Sequence, residues 1–181
     1  GIQLGDLGGS KNCFPLNDPS IQLTYLETAR RCNVELQSLH LFTLVREGGL
    51  QKPVDSEMGK HALLSIRKGL EACAAMKIPA LLVTSYDACA IVNGYDVECT
   101  AKMLKATAAM ARDYGVELTY ESVLQYEYVA QILDEAGPDV KLCYDILNPI
   151  KFLKGDPVEE IAKLGRERIA YVHLKDCPKE M

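Results

Sequence analysis

The sequence predicts an α/β fold in which a parallel sheet, joined by helical crossovers, curls toward a (β/α) barrel. Strand-like apolar runs alternate with helical ones along the whole chain, which implies parallel pairing. The strand runs begin near residues 1, 34, 78, 116, 140 and 168, ~33 residues apart, the length of one βα unit. Three late strands also end in chemically useful groups: 116–121 on Glu121, 140–145 on Asp145, and 169–173 on His173. Barrels gather their sites at the C-terminal strand ends. An open doubly wound sheet satisfies the alternation too, but usually with a Gly-rich phosphate turn, and no G-x-G-x-x-G follows any strand here.

Each element has its own signal. Residues 1–7 read as a strand and 8–17, rich in Gly, Ser, Lys and Asn, as a loop. Asp18-Pro19 offers an N-cap with proline at the first helical position, and Ile21, Leu23, Leu26 and Ala29 follow at helical spacing to about Asn33. Residues 34–44 read as the next strand, with His40 near its end, and 45–53 as a loop. From 55 to 77 the pattern is helical, with Leu63, Ile66, Leu70 and Cys73 on one face and His61 expected at the surface. The all-apolar run 78–84 suits a strand covered on both faces.

A helix over 96–114 carries Ala101, Leu104, Ala108 and Ala111 as its packing stripe and stops at Gly115. The strand 116–121 follows, then a helix over 126–136 closed by Gly137-Pro138, then the strand 140–145. Asp156-Pro157 repeats the cap-and-proline start, Gly165 ends that helix, and 169–173 is the last strand.

Composition bounds the function. A chain of 181 residues can bury a sizeable core and is expected to form one domain over 1–181. The net charge of -5 disfavours phosphate backbones, so no nucleic-acid partner is expected. No apolar run is long enough to span a bilayer, so no membrane partner is expected either. Seven cysteines, an odd number without a C-x-x-C pair, read as buried thiols of a cytoplasmic protein. The chain starts at Gly1 without an initiator methionine and ends eight residues after His173, so either end reads as a cut.

In a parallel barrel alternate residues point inward, so Thr119 shares a face with Glu121 and Tyr171 with His173. Two carboxylates and an imidazole at neighbouring tips make a mixed oxygen and nitrogen site for Mn, Mg, Zn or Co. His40, Asn148 and Lys175 are candidates to contact a substrate beside it, against the plain alternatives of a core histidine, a turn residue and a surface ion pair.

These residues carry a resemblance to the xylose isomerase-like TIM barrel family of sugar phosphate isomerases and epimerases, with ketose 3-epimerases, inosose dehydratase and, more distantly, endonuclease IV. Gly1-Ile2-Gln3-Leu4 is similar to the family's second strand, and Tyr171-Val172-His173-Leu174-Lys175-Asp176 to its seventh. The resemblance implies a (β/α)8 barrel represented by about six βα units, without the first and eighth strands. It implies a metal held by Glu121, Asp145 and His173, with Glu121 also moving a proton. Asn148 takes the place of a substrate-binding histidine and Lys179 that of an arginine, two departures from the epimerase pattern.

The implied activity is that of a divalent-metal-dependent sugar or polyol isomerase or epimerase in carbohydrate metabolism, acting by proton transfer next to a carbonyl through an enediolate. The alternatives are an inosose-type dehydratase on the same site, or a truncated non-catalytic barrel that binds a small polyol or a partner chain, because the family's eighth-strand glutamate has no counterpart here. The expected small-molecule partner is a sugar or polyol. Open strand edges also make a homo-oligomer one expectation.

Overall fold

The computed structural model describes residues 1–8 and 13–175. Six parallel strands form one sheet in the order in which they occur in the chain: β1 (Ile2–Gly5), β2 (Leu36–His40), β3 (Ala80–Ser85), β4 (Glu117–Ser122), β5 (Val140–Asp145) and β6 (Ile169–His173). The strand order has no switch point, which rules out the open doubly wound arrangement. The sheet is an incomplete (β/α)8 barrel.

The crossovers are α1 (Pro19–Arg31), α2 (Phe42–Glu47), α3 (Glu57–Met76), α4 (Gly94–Asp113), α5 (Tyr126–Ala136) and α6 (Pro157–Leu164). Their starts follow from side-chain caps that replace missing intrahelical partners. Asp18 accepts from the Ser20 amide at 2.8 Å, Ser56 from Gly59 at 3.0 Å, Asn93 from Asp96 at 2.9 Å, and Asp156 from Val158 at 2.8 Å.

Alternation along the strands sorts side chains into two layers. Leu39, Leu81, Val83, Leu118, Tyr120 and Leu142 face the helices and pack with Ile66, Leu70, Leu104 and Ile132. The concave face is polar. Ser38 donates to Gln3 Oε1 at 2.7 Å, and Thr119 of β4 lies 3.2 Å from the Tyr171 hydroxyl of β6. The Thr119–Tyr171 contact reaches over β5, joining non-adjacent strands across the hollow of the curved sheet. The curl therefore brings residues of non-adjacent strands together above this layer.

Four expectations change. Cys13 and Cys32 are exposed rather than buried, lying in the segment before α1 and at its C-terminal end, outside the core. The run 34–44 is not one strand: β2 stops at His40 and the chain turns into α2, whose first amides meet the buried Asp6 carboxylate, which accepts from Thr43 N at 2.9 Å. On α1, Leu23 and Leu26 are exposed, and Ile21 and Tyr25 do the packing instead. His61 is not at the surface; its side chain is 9% exposed and pairs with Glu47 of α2.

Gly59 marks the tightest approach in the scaffold. A Cβ there would lie 1.9 Å from the Pro53 carbonyl oxygen. Alanine is the better helix former by roughly 1 kcal/mol, yet overpacking against fixed backbone costs typically 1–3 kcal/mol. Gly59→Ala is therefore expected to lower stability in urea denaturation; a gain would mean that the 53–56 loop yields freely.

Candidate functional site

Glu121 is the last inward residue of β4, 5% exposed, and His173 ends β6. Their side chains meet across the intervening strand, His173 Nδ1 lying 3.4 Å from Glu121 Oε2. The other ring nitrogen, Nε2, lies 3.5 Å from Cys143 Sγ on β5. The imidazole is thus held on both sides. Donor atoms of Glu121, Cys143 and His173 all fall within 4.8 Å of one another.

Asp145, in register with His173, sits at the same rim but keeps different company. One carboxylate oxygen accepts from the Leu147 amide at 2.9 Å and the other pairs with the Lys175 ammonium. Its side chain is fully buried while that of Lys175 is half-exposed, so the lysine neutralises a charge that has no access to water. Asn148 is buried as well, and its amide donates to Glu121 Oε1 at 3.4 Å and to the Ser122 carbonyl at 3.2 Å.

His40 lies on the neighbouring side of the hollow, Nε2 being 3.3 Å from Thr84 Oγ1 and 3.4 Å from the Tyr86 hydroxyl. Burial, and then the nearby His173, hold its pKa down to about 4. Burial and, secondarily, the charges of Glu121, Asp87 and Asp145 push the Tyr86 phenol up. Both groups stay neutral at physiological pH. Burial likewise raises the Cys143 thiol, with Glu121 adding to the effect.

Of the residues expected from sequence, Glu121, His173 and Asn148 are brought into direct contact, Asp145 and Lys175 form a pair at the same rim, and His40 stands near His173. Lys179 lies outside the described residues. Three participants went unread. Cys143 had a usable signal, since it shares the Asp145 face of β5 by alternation. Tyr86 follows the tip of β3, and Phe152 belongs to a turn of π-helix, Pro149–Leu153, that no sequence pattern announced. Tyr86 and Phe152, with Asp87, Glu121, Asn148 and Lys175, line a cleft of about 310 Å³ above the strand ends.

The donor set suits a divalent cation. Two ligands each ~2.1 Å from one ion stand about 3–3.4 Å apart, the separation seen between His173 Nδ1 and Glu121 Oε2. Asp145, expected from the sequence as the third ligand, is instead engaged by Lys175 and the Leu147 amide, and Cys143 stands in the group with Glu121 and His173.

Strand order, polar hollow and rim together define an incomplete (β/α)8 barrel with a candidate acid/base and metal centre at its C-terminal face. The chain belongs to the xylose isomerase-like TIM barrel family, whose sequence model matches residues 17–181. It is 30% identical over 104 residues to 2-epi-5-epi-valiolone 7-phosphate 2-epimerase of an Actinoplanes species, a match covering 57% of this chain and 38% of that protein. Among solved structures it is similar to a xylose isomerase domain protein from Planctomyces limnophilus (TM-score 0.74, 12% identity, 96% of this chain and 64% of that one). A D-tagatose 3-epimerase-like protein aligns with a TM-score of 0.72 at 17% identity, over 96% of this chain and 66% of that one. The IOLI protein with a bound zinc atom aligns at 0.63 and 17% identity, over 90% of this chain and 60% of that one. The chain spans under two thirds of the length of each of these relatives.

Two measurements probe the rim. His40 binds a proton near pH 6.5 when unfolded but only near 4 when folded. The His40 contribution to stability is therefore undiminished above pH 6.5, falls as the pH drops from 6.5 toward 4, and then levels off, a loss on the order of 3 kcal/mol. In chelator-treated protein His40→Gln should flatten this part of the stability profile in denaturant titrations. Lys175→Ala leaves the buried Asp145 charge unpaired and should cost about 1–3 kcal/mol. Added Mn²⁺ should restore more of the melting temperature in this variant than in the parent; equal shifts would separate Asp145 from the metal.

Proposed function

We propose that this chain supplies the proton-transfer face of a divalent-metal-dependent sugar or polyol isomerase or epimerase. The observation that carries the reading is the buried Glu121 carboxylate, 3.4 Å from His173 Nδ1 and open to a cleft whose other walls can hold a polyol. Family membership and the epimerase relative support it.

Glu121, Asp145 and His173 would hold the cation. Once bound, it would draw off the negative charge that develops on a substrate carbonyl oxygen. The remaining work belongs to the side chains. Glu121 removes the proton from the carbon next to the carbonyl, its Oε1 kept in place by the Asn148 amide. Lys175 presents hydrogen-bond donors to substrate hydroxyls, the Asn148 carbonyl oxygen offers an acceptor, and the neutral Tyr86 phenol, backed by His40, adds no charge of its own. Lys179 is assigned to the substrate side by the family resemblance alone. Free thiols at Cys13, Cys32, Cys73, Cys89, Cys99 and Cys143 fit a reducing, cytoplasmic setting. No helix among the described residues is long and apolar enough to cross a membrane.

A dehydratase on the same residues draws on one observation, the Tyr86 phenol in the cleft, whose proton burial retains and which can donate to a departing hydroxyl. Proton NMR in D₂O with D-fructose, D-tagatose and 2-keto-myo-inositol as probes separates the two. Deuterium entering beside the carbonyl without loss of water is the expected result, and water loss would favour the lyase. Glu121→Gln should reduce exchange by at least about 10²-fold. Undiminished exchange in that variant would remove Glu121 from the chemistry.

A further inference from the structure

We propose that Phe152 is a platform on which the ring of a cyclic polyol stacks, with the hydroxyls of that ring turned toward Glu121, Asn148 and Lys175. The inference rests on the sugar or polyol reading and adds the shape of the substrate. Phe152 is 56% exposed, although burial is the ordinary fate of a phenylalanine. It lines the same cleft as the carboxylate, amide and ammonium groups of the rim, so one apolar face confronts a cluster of polar ones.

The turn that carries Phe152 is anchored rather than loose. Asn148, just before it, is tied to Glu121 and to the Ser122 carbonyl. Pro149 is buried, and its carbonyl accepts from the Gly155 amide at 2.9 Å across the turn. Lys154 ends the turn in the left-handed region at φ 55°. Lys151 Nζ lies 5.4 Å from the phenyl centroid, a cation drawn to the electron-rich face that steadies the ring. The platform is thereby fixed relative to the proposed base.

An aromatic face carries negative charge density and attracts the weakly positive C–H groups of a sugar. A cyclic polyol presents several such C–H groups on one rigid face. An open-chain polyol presents them only after freezing several rotors, each of which costs free energy. A site with a fixed aromatic wall opposite convergent polar groups therefore selects rings.

The sequence contains no tryptophan, so Phe152→Trp places a sole indole on the lip of the cleft. The probes are myo-inositol and D-glucitol, equal in carbon and hydroxyl count and different in closure, titrated into protein supplied with Mn²⁺. The expected result is a saturable change in indole emission with myo-inositol and none with D-glucitol. Calorimetry should show Phe152→Ala binding myo-inositol about three- to tenfold more weakly than the parent, with circular dichroism and Mn²⁺ affinity unchanged. Equal binding by the parent and Phe152→Ala, or the same indole response to both probes, overturns the platform while leaving the polyol reading standing. A parent protein that binds neither probe overturns the polyol reading, and the platform with it.

Discussion

The register between β5 and β6 is the constraint on which the site depends. Asp145 pairs with His173 and Cys143 with Tyr171 across that ladder. Because side chains alternate at every residue, a slip of one position would send His173 to the helical side and bring Val172 into the hollow. Two features oppose the slip. The outer face needs apolar residues against α5 and α6, and the inner face needs Tyr171 where Thr119 can bond to its hydroxyl. The chemistry at the rim is thus held in place by polar contacts one layer below it.

Charge is the second organising factor. Glu121 and Asp145 are both buried at the rim, which is costly unless each finds a partner. The chain answers with different partners: an imidazole and an amide for Glu121, an ammonium and a backbone N–H for Asp145. The groups facing them from β2 and from just beyond β3, His40 and Tyr86, are kept neutral by burial. The buried carboxylates thus stand opposite two groups, the His40 ring and the Tyr86 phenol, that bring no charge of their own to the hollow.

Much of this was legible in the sequence where local chemistry decides structure. Strands β5 and β6 and helices α5 and α6 fall where their apolar runs and their stops at Gly137 and Gly165 placed them, because those signals lie within a few residues of the boundary. Helix α2 was hidden because what ends β2 is remote: the Asp6 carboxylate, 37 residues away, accepts the amide that begins the new helix. The meeting of Glu121 with His173 was readable from strand-tip positions alone. The pairing of Asp145 with Lys175 was not, since it follows from how a flexible ammonium finds a buried charge. Phe152 and Tyr86 acquire meaning only from the cleft that they share.

The chain-order arrangement of the sheet bears on how the protein is made. Every strand pairs with the one synthesised just before it, from β1 through β6. Each new βα unit can therefore dock on an edge already present as the nascent polypeptide leaves the ribosome, without waiting for distant sequence. The rim residues arrive in the same sequence, Glu121 first and His173 last, so the centre is assembled by the final strand of the described sheet and no part of it has to be threaded into a finished core.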